Sequence, residues 1–260
     1  MSTISTTSRP GALSLQRRRL HHRHRRKTSP LTTCHHYPKI IMTSRSKMAY
    51  KTILWDWNGT LLNDTGICID VMNGMLQKHG MPLISLEKYR SVFTFPVKDY
   101  YEAVGWDFST HKFEIIGHEF IDGYRVALPS AKVFADAHHV LEQFKKSGMQ
   151  QHILSAMEAE FLLESVADMG ISNYFKSING ITNHLAKGKV DISREMQARE
   201  HFDVSATLII GDTLHDGEIA KELGCDCILV ASGHQNRARL EQSGFPVVEK
   251  LEDITKNIIF

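Results

Sequence analysis

Asp56 closes the apolar run Thr52-Ile53-Leu54-Trp55 and opens Trp57-Asn58-Gly59-Thr60-Leu61. Further along, Ile153-Leu154 ends in Ser155, and Ile209-Ile210 ends in Gly211-Asp212-Thr213-Leu214-His215-Asp216. Two lysines lie between them, in Ala186-Lys187-Gly188-Lys189-Val190-Asp191. A carboxylate can act as a covalent nucleophile. Several carboxylates and carbonyls together offer the oxygen ligands that magnesium takes. A hydroxyl and an ammonium stabilise charge that develops in a transition state, and the N–H groups of Trp57 to Thr60 lie in a loop suited to an anion. Each residue also has a plainer use. Asp56 and Asp212 suit helix caps, Asp216 suits the N-cap of a helix running to Leu223, and Ser155 suits a turn or cap. One of the two lysines reads as solvated, His215 as a polar loop residue, and Trp55 and Trp57 as packing residues.

Elements must carry these groups to one place. Thr52–Asp56, Gln151–Ser155, Thr207–Asp212 and Cys227–Val230 are short apolar runs, which fits strands covered on both faces of a parallel sheet. Helical patterns alternate with them at Val140–Lys146, Glu160–Met169, Ser193–Phe202 and Glu218–Leu223, the last followed by Gly224 as a C-terminal signal. This order predicts an α/β fold with a doubly wound parallel sheet. Such sheets carry function at the carboxyl ends of their strands, where three of the four runs end in a polar residue. Between the first two strands the pattern turns all-helical: Ile67–His79, Ser85–Phe93, Val97–Val104 and Lys112–Leu128. The expected organisation is a core of residues 49–64 and 130–260, a helical cap of residues 65–129, and a basic leader of residues 1–48 without fixed structure.

The Asp-x-Asn-Gly-Thr run, Ser155, the lysine and the Gly-Asp…Asp run occur in that order over residues 53–216. Together they resemble the four motifs of the haloacid dehalogenase superfamily, most closely its phosphoglycolate-phosphatase-like branch with a helical cap. The resemblance implies a Rossmann-like core and a magnesium-dependent phosphatase that hydrolyses a small phosphorylated metabolite, a phosphoglycolate-like phosphomonoester, through an aspartyl-phosphate. It makes Asp56 the nucleophile. Mg2+ would be held by Asp56, the backbone carbonyl of Asn58 and Asp212, with Asp216 as a further ligand or the holder of a metal-bound water. The phosphoryl group would meet Gly59, Thr60, Ser155 and Lys189. Lys189 is preferred to Lys187 because it directly precedes the helix expected near Asp191, and Lys187 stays open. Asp212 argues against dehalogenation, whose enzymes lack the first acid of the fourth motif. Phosphonoacetaldehyde hydrolases need a Schiff-base lysine in the cap, and Lys78, Lys88, Lys98 and Lys112 show no pattern for one. Arg90, Lys98 and Arg125 are cap cations placed either to meet a substrate carboxylate or to face solvent.

One position departs from the family. Its phosphatases carry an aspartate two residues after the nucleophile, which protonates the leaving group and then activates water. Here Asn58 stands there, and an amide has no titratable proton. General acid–base catalysis contributes about 10²–10⁴-fold. Three explanations follow: another acid such as His79 or His118 substitutes, the substrate has a good leaving group, or activity is low. Asn58→Asp is expected to help alkyl phosphates more than aryl phosphates. The alternatives to a phosphatase are a phosphonate hydrolase, a phosphoryl transferase between sugars, and a catalytically weak protein that binds a phosphometabolite.

Charge narrows the partners. Residues 1–47 hold 11 basic residues and no acid, so of the chain's 31 Lys and Arg and 29 Asp and Glu the remainder keeps 20 and 29, a formal charge near −9. An acidic body argues against a nucleic-acid partner. The basic leader reads as an organelle transit peptide, as a nuclear-import or nucleic-acid patch, or as sequence upstream of a true start at Met42 or Met48. No stretch approaches the roughly 18 apolar residues of a membrane span, so the expectation is a cytoplasmic protein without a membrane partner, imported into an organelle if the leader is a transit peptide. Cys34, Cys68, Cys225 and Cys227 fit no usual zinc spacing and read as reduced thiols.

Overall fold

A computed structural model describes residues 50–182, 189–256 and 258. The basic leader, Cys34 and Lys187 lie outside the described residues. In chain order the elements are β1 (Thr52–Trp55), β2 (Leu62–Asn63), α1 (Thr65–Lys78), α2 (Leu86–Val92), α3 (Val97–Ala103), α4 (Phe113–Ala127), β3 (Lys132–Val133), α5 (Ala137–Lys146), β4 (Gln150–Glu158), α6 (Ala159–Asp168), β5 (Ser177–Ile181), α7 (Lys189–Glu200), β6 (Thr207–Gly211), α8 (Leu214–Leu223), β7 (Asp226–Val230) and β8 (Val247–Val248). Short 3-10 turns and two four-residue helices fill the connections.

Six strands form one parallel sheet in the order β5-β4-β1-β6-β7-β8. Side chains alternate across it, as a period of two demands. Ile53, Trp55, Ile153, Leu208, Ile210, Ile228 and Val230 join Val140, Leu141 and Phe144 of α5 and Leu162 and Val166 of α6 in one core. Leu54, Leu154, Ile209, Cys227 and Leu229 face the other way and join Ile192 and Met196 of α7 and Ile219 and Ala220 of α8. Helices on both faces make the sheet doubly wound. All three described cysteines are free and buried.

The four helices α1–α4 occupy the span between β2 and β3, which pair antiparallel. In α1 the buried residues Cys68, Ile69, Met72, Met75 and Leu76 recur every three or four positions, so one face packs and the other is wet. Two core helices begin one turn earlier than the apolar pattern suggests, α7 at Lys189 and α8 at Leu214. Their first turns are held by polar contacts instead. Thr213 caps α8 in a reciprocal box with Asp216, so Asp216 sits at the third helical position rather than at the cap, and His215 lies in the helix rather than in a loop. Gly224 ends α8 at φ 76°, the left-handed conformation glycine permits. Among the described residues no helix is long and apolar enough to cross a membrane.

Within β4, His152 is fully buried, its Nδ1 2.8 Å from Ser177 Oγ and its Nε2 without a partner among the described residues. Burial pushes its imidazole down to about 4. Because the unfolded chain binds that proton near pH 6.5, stability is fully present above pH 6.5 and is lost as pH falls towards 4. The expected loss is about 2 kcal/mol after allowing for solvent screening. Urea unfolding at pH 7 and pH 4.5 should show it in the wild type, and His152→Gln should remove that part of the pH dependence.

Candidate active site

Parallel register aligns the candidate residues. Trp55 pairs with Ile153 on one side and Ile210 on the other. Asp56 therefore lies one residue beyond that line, and Ser155 and Asp212 two residues beyond it, all at the carboxyl edge. Helix α8 starts at this edge and turns Asp216 back towards it. Ligand oxygens of Asp56, Asp212 and Asp216 lie within 4.8 Å of one another, and all three residues are buried. Lys189, 5% exposed at the first position of α7, donates from Nζ to Asp56 Oδ1 at 2.7 Å and to Asp216 Oδ1 at 2.5 Å.

Three carboxylates and one ammonium in a dry site leave an excess of negative charge. Burial, reinforced by the charges of Asp216 and Asp212 and opposed by Lys189, pushes Asp56 up to about 8. Burial also raises Asp212, with Asp216 adding to the effect. Asp216 is held low, because the Lys189 charge and hydrogen bonds outweigh burial, and Lys189 is correspondingly raised by Asp216 and Asp56. A hard divalent cation between the carboxylates would relieve this imbalance. The donor set is all oxygen, which suits magnesium.

The loop after β1 is tightly built. Gly59 has φ +72°, and a Cβ there would run into Asp212 Oδ2 and His234 Cδ2. Glycine thus provides both the left-handed turn and the close approach. Gly59 and Thr60, the two expected phosphoryl contacts, also make contacts within the protein. Gly59 N–H donates to Leu62 O at 2.9 Å and Asp64 Oδ1 at 2.9 Å, and the Thr60 hydroxyl donates to Asp212 Oδ1 at 3.0 Å. These contacts hold the loop and orient Asp212. Ser155 Oγ accepts from Met157 N–H at 3.1 Å and lies 3.5 Å from Asn58 Oδ1, long for a hydrogen bond. Trp55 and Trp57 are both fully buried.

A second buried group beside the first has little local signature. Asp64 Oδ2 accepts from Asn58 Nδ2 at 2.8 Å and from Tyr124 OH of α4 at 2.7 Å. Its Oδ1 lies 3.5 Å from His234 Nε2. His234, in the loop after β7, donates its backbone N–H to Asp212 Oδ2 at 2.5 Å, and its Nδ1 meets Tyr89 OH of α2 at 2.9 Å. Despite burial, the Asp64 charge raises His234 to about 9, and His234, Tyr124 and Asn58 together hold Asp64 low. Asp64 and His234 therefore form a buried ion pair at neutral pH. A polar loop after the fourth apolar run was the available signal for His234, since strand carboxyl ends carry function. Nothing local in the sequence marks Tyr124.

The other candidates fall elsewhere. His79 pairs with Glu119 and lies against Trp106, while His118 Nδ1 contacts Glu114 O of its own helix, so neither histidine is bonded to the site. Arg90 reaches the core, donating to Gly233 O at 2.8 Å and Ser232 O at 2.5 Å. Arg125 lies over the Phe161 ring and Lys98 over Phe108.

With the geometry established, residues 53–230 match the model of a protein family described as haloacid dehalogenase-like hydrolase. The chain is 28% identical over 199 residues to a phosphoglycolate phosphatase of Thiobacillus denitrificans, covering 73% of this chain and 86% of that protein. It is 22% identical over 192 residues to an N-acetylmuramic acid 6-phosphate phosphatase of Pseudomonas aeruginosa, covering 72% of this chain and 84% of that protein. Among solved structures, a haloacid dehalogenase-like family hydrolase from Streptococcus pneumoniae superposes with a TM-score of 0.67 at 19% identity, covering 80% of this chain and 97% of that one. At that identity the likeness is one of fold.

Proposed function

The chain belongs to the haloacid dehalogenase-like hydrolases, and from that premise we propose that it is a magnesium-dependent phosphatase of small phosphorylated metabolites with Asp56 as its covalent nucleophile. The observation that carries this reading is the buried cluster of Asp56, Asp212 and Asp216 joined by Lys189 at the carboxyl edge of the sheet. Three buried carboxylates repel one another, and a fold keeps such an arrangement where the charge is used.

Asp56, Asp212, Asp216 and the carbonyl of Asn58 would hold the ion. Bound there, magnesium would neutralise charge on the phosphoryl oxygens and keep Asp56 ionised at neutral pH. Asp56 attacks phosphorus. Lys189 keeps its ammonium between Asp56 and Asp216, orienting the nucleophile and adding positive charge in the transition state. Ser155 would hold a phosphoryl oxygen. We read residues 65–129 as a cap over the strand ends, with 49–64 and 130–260 as the core, because Tyr89, Arg90 and Tyr124 of α2 and α4 bond to residues around the site. The names of the relatives place phosphoglycolate and N-acetylmuramate 6-phosphate among the substrates to test.

Phosphate release from p-nitrophenyl phosphate, acetyl phosphate and those two metabolites tests the reading, in Mg2+ and in EDTA. Release that depends on Mg2+ is expected with at least one of them. No release from any would leave a phosphometabolite-binding protein, the reading that Asn58 favours.

A further inference from the structure

Asn58 is more than a missing aspartate, because its amide is held in one orientation. Its Nδ2 lies 2.8 Å from Asp64 Oδ2 and 2.9 Å from Tyr124 OH. Asp64 also receives Gly59 N–H at 2.9 Å and Tyr124 O–H at 2.7 Å. A carboxylate fed by these donors can only accept. Turning the amide over would set its carbonyl oxygen against that carboxylate, so the nitrogen faces Asp64 and Oδ1 faces out, where Ser155 Oγ is 3.5 Å away. The group presented to the reacting phosphoryl is therefore an acceptor without a proton.

Among the described residues no neighbour supplies one instead. Tyr124 donates inward to Asp64. The ring nitrogens of His234 face Asp64 and Tyr89. His215 Nδ1 faces Glu218, and its ring lies against Phe95. Lys189 is engaged by Asp56 and Asp216, on the nucleophile side. Glu158 accepts from Glu160 N–H and Phe161 N–H at the start of α6.

Resting on the phosphatase reading above, we infer that this site takes phosphoryl compounds whose leaving oxygen departs without a donated proton, the class of acyl, enol and aryl phosphates. In the first step a bond forms between an Asp56 carboxylate oxygen and phosphorus while the bond from phosphorus to the leaving oxygen breaks. The electron pair stays on that oxygen, which leaves as a carboxylate, enolate or phenolate and takes any proton from solvent. In the second step the oxygen of a water bonds to phosphorus, the bond to Asp56 breaks, and the carboxylate is regenerated. The proton of the water passes to solvent. Asn58 Oδ1 accepts a hydrogen bond from that water and so orients it. Alkyl phosphates, phosphoglycolate included, would have to expel a strongly basic alkoxide and are poor substrates.

The geometry also shows how to restore an acid. Asn58→Asp alone would set two carboxylates against each other. Exchanging the pair, Asn58→Asp with Asp64→Asn, keeps one amide and one carboxylate in contact and turns a carboxyl oxygen outward.

The test measures kcat/KM with Mg2+, because that parameter includes departure of the leaving group. The substrates are acetyl phosphate, phosphoenolpyruvate, para-substituted phenyl phosphates of graded phenol acidity, and glycerol 3-phosphate and phosphoglycolate as alkyl cases. The expected result is a steep fall along the phenyl series as the phenol becomes more basic, with alkyl phosphates at least about 10²-fold below the acyl and nitrophenyl compounds. The exchanged variant should narrow that gap at least tenfold by raising the alkyl rates, and if it does not fold the wild-type series decides alone. A flat phenyl series, or alkyl phosphates within tenfold of the nitrophenyl compound, overturns the inference while leaving the phosphatase reading intact. No phosphate release from any substrate overturns both.

Discussion

Asp56→Asn is expected to lower kcat/KM by at least about 10⁴-fold while leaving the fold intact. The amide keeps the size and much of the hydrogen bonding of the carboxylate but is a poor nucleophile. The same change removes one of three buried acids; burial, with their mutual repulsion adding to it, is what raises Asp56 and Asp212. Thermal unfolding without metal should therefore occur at an equal or higher temperature than in the wild type. Lost activity with a retained fold assigns Asp56 to the chemistry rather than to holding the structure. A variant that kept a tenth of wild-type turnover would assign the chemistry elsewhere.

Lys189→Met carries the second large effect, and it falls on both stability and rate. The ammonium is 5% exposed and bonded to two carboxylates. Its removal leaves Asp56 and Asp216 buried without their shared counter-charge, a change that costs about 3–5 kcal/mol when one partner of a buried pair is lost. The deficit should depend on pH in a definite sense. Without the ammonium the folded carboxylates bind protons more tightly than the unfolded ones, so the stability of the variant falls as pH rises from 5 to 8. Added Mg2+ should recover more stability in the variant than in the wild type, because the ion replaces the missing charge. Turnover in saturating Mg2+ should remain about 10²–10³-fold below wild type. Denaturant unfolding at two pH values, with and without Mg2+, checks all three signs.

Much of this site was legible because strand ends announce themselves. Apolar runs closed by Asp56 and by Gly211-Asp212 marked two neighbouring strands, and parallel register brings their ends together. The four helices after β2 were legible from their three-to-four spacing, with bounds within about two residues. Other elements carried little local signal. Strand β5, Ser-Ile-Asn-Gly-Ile, mixes polar and glycine residues, and β8 has only two residues at the sheet edge. The early starts of α7 and α8 rest on contacts remote in sequence, Lys189 with Asp56 and Asp216, and on a capping box with no apolar periodicity.

What sequence spacing could not supply was the partner of Asn58. Asp64 is six residues away, but Tyr124 is 66 away and His234 reaches Asp64 from the loop after β7. Pattern reading assigns residues to elements, whereas this group exists only once four segments are folded together. It also explains why a missing acid was visible in the sequence while the orientation of its replacement was not.

The most direct test of the central claim is to look for the covalent intermediate. The wild type is mixed with p-nitrophenyl phosphate and Mg2+, quenched in acid during turnover, digested and weighed peptide by peptide. The expected result is one added phosphoryl group on the peptide that holds Asp56, absent from Asp56→Asn. Continuing turnover with no adduct on that peptide, or an adduct on a different residue, would contradict Asp56 as the nucleophile.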